Sequence, residues 1–138
     1  MNPRQRVPKK DWRVLLVDDD YAQIIERSLR AAAGVPVEVR RARTGDEALA
    51  VLRDFVPDLL LLDLKMPGMG GHEALEVMKA DDVLRSVPVA ILSSSDRDDD
   101  VAKSYGLGGN HFITKPSSPL ELEAKLAVLL RNLTELGG

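Results

Sequence analysis

The sequence predicts an α/β fold in which five parallel strands form one sheet with helices on both faces. Three observations predict it. Short apolar runs alternate with stretches of helical spacing along the chain. Two of those runs, DLLLL at 58–62 and VPVAIL at 87–92, are apolar almost throughout, as strands covered on both faces must be. The length, 138 residues, is that of one ordinary domain, with no internal repeat and no linker.

The elements follow in order. Trp12 to Val17 (WRVLLV) is a short apolar run that ends in acids and reads as the first strand. From Ala22 to Ala33 the residues Ile25, Leu29 and Ala32 share a helical face, and Gly34 stops the helix. Val35 to Ala42 alternates as a second strand. Thr44, with Glu47 three residues on, forms a capping box for a helix carrying Ala48, Leu49 and Leu52. Asp58 to Leu62 is the third strand. A loop with Pro67, Gly68 and Gly70 follows, then a helix carrying Leu75 and Met78. Val87 to Leu92 is the fourth strand. Asp98 to Tyr105 is a short helix whose first turn is acidic, where the helix dipole favours acids, and Gly106 ends it. His111 to Thr114 is the fifth strand. Ser118, Pro119 and Glu121 make a second capping box, with proline at the first helical position, and the last helix is expected to run to about Leu133. Strict alternation of this kind gives a doubly wound three-layer sandwich with right-handed crossovers.

Composition narrows the function. The chain has no cysteine, which excludes disulfides, thiolate metal sites and cysteine nucleophiles. Aromatic residues are 4% of the chain, too few for a surface that stacks bases. Four positive charges, Arg4, Arg6, Lys9 and Lys10, sit in the first ten residues, so the net charge of −3 becomes −7 without them. An acidic body of this kind argues against direct nucleic-acid binding. Residues 1–10 read as a flexible basic arm, 11–134 as the domain and 135–138 as a tail. No apolar run is long enough to span a membrane and the head lacks a signal peptide's apolar segment, so a cytoplasmic location is expected.

Ligands of an open α/β sheet bind beyond the carboxyl ends of its strands. There the sequence places Asp18, Asp19 and Asp20 after the first strand and Asp63 after the third. Ser93, Ser94 and Ser95 follow the fourth, and Lys115 and Pro116 the fifth. Taken singly, such residues are helix caps, solvated loop residues, turn residues and surface lysines, and Asp20 reads as a cap or a solvated loop residue. Taken jointly, they describe a site. Asp18, Asp19 and Asp63 repel one another when gathered, and a bound cation relieves that. Oxygen ligands without histidine or cysteine favour Mg2+ or Mn2+. One carboxylate then acts as nucleophile toward a phosphoryl group, with Lys115 and the Ser93 hydroxyl on other phosphoryl oxygens.

At this point the chain resembles the receiver domains of two-component response regulators, over residues 12–133. The matching pieces are LLVDDD at 15–20, PDLLLLDLKMPGMGG at 57–71, PVAILSSS at 88–95 and HFITKP at 111–116. The resemblance implies a flavodoxin-like sheet of order 2-1-3-4-5. It implies that Asp63 is the phosphoacceptor, and that Asp18, Asp19 and Asp63 hold Mg2+ (or Mn2+) with the backbone carbonyl of Lys65. Ser93 and Phe112 are then the switch pair, and Lys115 the phosphoryl-binding cation, followed by Pro116 in a cis bond. Phe112 also has an ordinary reading as core packing. Lys65, Ser94 and Ser95 would set the phosphoryl lifetime. Such a domain is a switch that catalyses only its own phosphorylation and dephosphorylation, its phosphoryl donor being a sensor histidine kinase. A narrower likeness lies in residues 93–116 (SSSDRDDDVAKSYGLGGNHFITKP), which resemble stand-alone regulators paired with phytochrome-type light-sensing kinases.

Rival readings are weaker. Asp18-x-Asp20 after the first strand also suits an aspartyl-nucleophile phosphatase of the haloacid-dehalogenase type. That enzyme needs a further acid pair, whereas Glu121 and Glu123 fall inside the last predicted helix. A dinucleotide-binding fold needs glycines after the first strand, where this chain has acids. His72 and His111 have no ligand spacing and are expected to be non-catalytic.

With no output domain expected, signalling to a downstream protein passes through a surface. The face combining the helix at 98–105, the strand at 111–114 and the last helix is the one expected. In that last helix Leu122, Leu126, Leu129 and Leu133 recur with the spacing of a coiled-coil seam, and Val128, Leu130 and Leu136 are apolar as well. A helix docked on a sheet needs only one stripe, so some of these are expected to be exposed and a homodimer is expected.

Overall fold

The structure, a computed structural model, describes residues 11–18, 21–63, 71–93, 111–114 and 118–137. Five parallel strands form one sheet in the order β2-β1-β3-β4-β5. They are β1 (Trp12–Val17), β2 (Val37–Ala42), β3 (Leu59–Asp63), β4 (Val89–Ser93) and β5 (His111–Thr114). The helices are α1 (Ala22–Ala33), α2 (Gly45–Leu52), α3 (Gly71–Ala80) and a C-terminal helix (Pro119–Gly137). This is the flavodoxin-like arrangement that the sequence predicts. The predicted helix at 98–105 lies outside the described residues.

The sheet has a core on each face. Val14, Leu16, Leu59, Leu61, Ala90 and Leu92 pack with Ile25 and Leu29 of α1 and with Leu122, Leu126, Leu129 and Leu130 of the C-terminal helix. Leu15, Val17, Leu60, Leu62, Val89 and Ile91 pack on the opposite face with Ala48 and Leu52 of α2, Phe55, and Leu75 and Met78 of α3. Every residue of β3 is buried. Each fully buried leucine contributes about 2 kcal/mol of transfer free energy. The central strands are therefore apolar for a reason independent of function, and a carboxylate at the end of β3 stands out against them.

Several element ends carry the local chemistry expected of them. Gly34 closes α1 at φ 68°, the left-handed conformation that favours glycine. Thr44 Oγ1 accepts the Glu47 N–H at 3.1 Å. The returning bond of this capping box is displaced by one residue: Glu47 Oε2 accepts the N–H of Arg43 at 2.7 Å, not that of Thr44. Ser118 Oγ accepts the Glu121 N–H at 3.4 Å at the start of the C-terminal helix.

Four boundaries differ from the sequence reading. β2 starts at Val37, not Val35. Pro36 has no N–H to give, and it joins only through its carbonyl, which accepts the Trp12 N–H at 3.0 Å. β3 runs Leu59–Asp63, one residue later than expected. Asp58 pairs with β1 partly through its side chain, since its Oδ2 accepts the Arg13 N–H at 2.9 Å. β4 starts at Val89, because Leu84–Ser86 forms a 3-10 turn closed by the Val87 N–H on the Leu84 carbonyl at 3.0 Å. The C-terminal helix continues to Gly137, past Leu133 and into the stretch read as a tail.

The leucines of that helix also go elsewhere than a seam between copies. Leu122, Leu126, Leu129 and Leu130 are all buried in the core shared with α1, and Leu133 is partly buried against it. The 4-3-4 spacing serves α1 and the sheet together, which is why it is wider than one sheet-facing stripe. Val128 is exposed, as part of that expectation required, and so is Leu120 in the first turn of the helix.

The open edge at β2 is dressed with arginine. Arg41 binds Glu26 of α1 at 2.8 Å, and Glu26 also holds Arg30 at 3.1 Å. Arg30 Nη1 in turn donates to the Val37 carbonyl at 2.7 Å. On the other face, the guanidinium groups of Arg13 and Arg40 lie over the Phe55 ring, 4.6 and 4.8 Å from its centre.

Candidate functional site

The register of the sheet assembles the site. Val17 of β1 pairs with Leu62 of β3, and Asp63 pairs with Leu92 of β4. Asp18 directly follows Val17, and its N–H continues the ladder by donating to the Ala42 carbonyl at 3.0 Å. Asp18 and Asp63 therefore occupy the same row on adjacent strands, which in a sheet lie about 4.8 Å apart. Side chains alternate along a strand. The residues two before them, Leu16 and Leu61, belong to the core on the α1 face, so both acids belong to that face.

Both acids are buried, with 2% of Asp18 and 4% of Asp63 exposed. With Ser28 they are the buried polar side chains among the described residues. Asp18 Oδ1 accepts the backbone N–H of Tyr21 at 2.7 Å. That bond was not read from the sequence, which took Asp20 as a helix cap or a solvated loop residue and gave Asp18 no such role. Asp20 lies outside the described residues, and the carboxylate found at the start of α1 belongs to Asp18. The signal was present in the spacing: an acid three residues ahead of a helix's N-cap position is placed to accept the N–H of that position.

The other expected residues are distributed as follows. Ser93 ends β4 and pairs with Thr114, one position beyond the row of Asp63 and Leu92. Lys115, which follows Thr114, lies outside the described residues, as do Asp19, Lys65, Ser94, Ser95 and Pro116. Phe112 pairs with Ile91 on β5 and is half-buried, packed on the α2–α3 core. Glu121 and Glu123 lie within the C-terminal helix, so they do not supply the acid pair the phosphatase reading needs. His111 is half-buried at the start of β5, where burial pushes its pKa down. A groove of about 560 Å³ runs between β5 and the C-terminal helix, lined by His111, Phe112, Thr114, Lys125, Val128 and Asn132 among others. It does not include the acids, so it belongs to a surface and not to the acid site.

The donor set suits a hard cation. Both placed donors are carboxylates, held side by side at the mouth of the sheet. Among the described residues no group of three acid or histidine ligands is gathered, the third expected acid being Asp19.

The response regulator receiver domain family matches residues 14–127. The chain belongs to that family. Receiver domains are phosphoacceptor switches that bind Mg2+ or Mn2+ and are phosphorylated by sensor histidine kinases. The phosphate regulon transcriptional regulatory protein PhoB of Pseudomonas aeruginosa is 34% identical to this receiver over 119 residues, 86% of this chain and 52% of PhoB. The chain thus spans about half the length of the curated relatives it matches. Among solved structures, the phosphorylated cyanobacterial phytochrome response regulator RcpA superposes with a TM-score of 0.77 at 37% identity, covering 86% of this chain and 91% of RcpA. The Mn2+-bound form of the response regulator Rcp1 gives a TM-score of 0.77 at 29% identity, covering 91% and 96%. No helix among the described residues of this receiver is long and apolar enough to cross a membrane.

Proposed function

We propose that this chain is a response regulator receiver that takes a phosphoryl group from a sensor histidine kinase onto Asp63. The observation that carries the reading is the buried row of Asp18 and Asp63 at the carboxyl edge of the sheet. An Asp63 oxygen attacks the phosphorus of the kinase's phosphohistidine. The phosphorus–nitrogen bond breaks, and an acyl phosphate forms as the kinase histidine leaves. Asp18, Asp19, Asp63 and the Lys65 carbonyl would hold Mg2+ or Mn2+, and the cation would supply neutralisation of phosphoryl charge there. Lys115 and the Ser93 hydroxyl take up phosphoryl oxygens, and Lys65, Ser94 and Ser95 set how fast water removes the group.

Charge at Asp63 then draws in Ser93 and Phe112, and so shifts the face built from residues 98–105, β5 and the C-terminal helix between two states. The half-buried position of Phe112 supports that role, since an aromatic ring there has both core and solvent within reach. The groove beside β5 and the exposed Leu120 and Val128 support the same face as the one that meets a downstream protein or a second copy of the chain. The likeness to RcpA supports a phytochrome-type kinase as the partner. A cytoplasmic site of action follows from such a partnership.

The test is phosphoryl transfer from a panel of autophosphorylated kinases, with and without Mg2+. Wild type gains acid-stable but alkali-labile label from a phytochrome-type kinase, and Asp63→Asn gains none. Label on Asp63→Asn would move the nucleophile elsewhere. Sedimentation at low concentration, with and without an acyl-phosphate mimic, tests the dimer, which a monomer under both conditions would exclude.

A further inference from the structure

The bond between Asp18 and Tyr21 ties the acid row to α1, and its consequences reach past the acceptance of phosphate. Among the described residues, Tyr21, at the N-cap position of α1, makes no side-chain capping bond, and no acid stands in the first turn. The carboxylate that serves this helix end comes from Asp18, whose Oδ1 lies 2.7 Å from the Tyr21 nitrogen. The Tyr21 carbonyl then accepts the Ile25 N–H at 3.1 Å, the first bond of the helix. Asp18 is 2% exposed, so few other orientations are open to its side chain. Farther along, Glu26 of α1 is clamped between Arg30 and Arg41, which anchors the helix to β2. The helix is thus fixed to the sheet edge at one place and to the acid row at another.

We propose that the Tyr21 backbone N–H is a positioning group of the cation site. It holds the Asp18 carboxylate in one rotamer, and through it the first turn of α1 responds to cation occupancy. The inference rests on the reading of Asp18 as a cation ligand. An N–H donor to a carboxylate competes weakly with a cation for its lone pairs, but it also fixes which lone pairs face the cation, adding to what burial and the other contacts of Asp18 already restrict. At a nearly buried carboxylate the second effect outweighs the first. Losing the N–H therefore weakens cation binding.

The experiment uses the whole chain and Mn2+ alone, read by electron paramagnetic resonance of the free ion. Tyr21→Pro, which deletes the N–H, raises the Mn2+ dissociation constant by about three- to tenfold. Gln23→Ala, at an exposed position on the same turn of α1, leaves the constant unchanged. In wild type, Mg2+ slows hydrogen exchange of the amides at 21–25 more than of those at 30–33. Asp18→Asn keeps an acceptor oxygen, so its metal-free exchange at 21–25 stays like wild type while its response to Mg2+ is lost. An unchanged constant in a folded Tyr21→Pro protein overturns the inference. So does Mg2+ binding in wild type without slower exchange at 21–25, which remains decisive if Tyr21→Pro does not fold. A wild-type chain that binds neither ion would instead refute the cation site itself.

Discussion

Asp18 and Asp63 are neighbours across the β1–β3 ladder, each following directly on a residue of the Val17–Leu62 pair, and both are withdrawn from solvent. Adjacent carboxylates on one sheet face set up a demand for positive charge. Mg2+ is therefore expected to stabilise the folded chain. At ten times its dissociation constant the gain is about 1.4 kcal/mol. Thermal unfolding with Mg2+ and then with excess chelator reads it directly. The gain disappears in a chain carrying both Asp18→Ala and Asp63→Ala, and an equal gain there would place the ion elsewhere.

The C-terminal helix offers a sharp contrast between two leucines one turn and a half apart. Leu126 is fully buried and Leu120 is 76% exposed. Leu126→Ala is expected to cost about 3 kcal/mol, since it removes a side chain from a packed core and leaves a void. Leu120→Ala is expected to stay within about 0.5 kcal/mol in the monomer. Urea unfolding at low protein concentration measures both. Equal effects would return the heptad leucines to an interface.

Thr44 caps α2 through its Oγ1. Thr44→Ala should destabilise the chain by about 1 kcal/mol, and Thr44→Ser should recover most of that. Chemical denaturation separates the hydroxyl from the methyl group. A fully stable alanine variant would mean that Glu47, bonded to the Arg43 N–H, holds the helix start alone.

Acid should weaken the contact between α1 and β2. Burial acts to raise the Glu26 pKa, but hydrogen bonds from Arg41 and Arg30 and their positive charge outweigh it, so the carboxyl sits below its ordinary 4.5. A depressed carboxyl pKa contributes stability that is complete above the unfolded value and is lost as pH falls through the folded one. The loss therefore falls below about pH 4.5. For a pair this exposed it amounts to about 0.5 kcal/mol. Glu26→Gln should flatten the acid limb of the stability curve by that amount and change nothing at pH 7 except the same small offset. An acid limb identical to wild type would deny the pair any energetic role.

Much of this was legible in the residues. β1, α1 and β5 have the limits their patterns predict, because each is bounded by an unambiguous signal: acids after Val17, Gly34 after Ala33 and Lys115-Pro116 after Thr114. β3 and β4 slipped because a continuous apolar run cannot show where pairing starts. Asp58 enters its ladder with a side chain, and Val87 is used by a 3-10 turn before the strand begins. The strand-end positions of Asp18 and Asp63 were legible, whereas their burial was not, and the three-residue spacing that lets Asp18 reach the Tyr21 N–H is one that many acids near a helix start share. The stripe on the C-terminal helix was visible in full. Its partner was not, because periodicity reports that a face is apolar and says nothing of whether α1 or another molecule covers it.

The bond from Arg30 to the Val37 carbonyl has a bearing on how copies of this chain can meet. A sixth strand added at β2 would have to displace that guanidinium before it could bond the Val37 carbonyl. The arginine withdraws one acceptor from the open edge, so templated growth there starts against a competitor already in place.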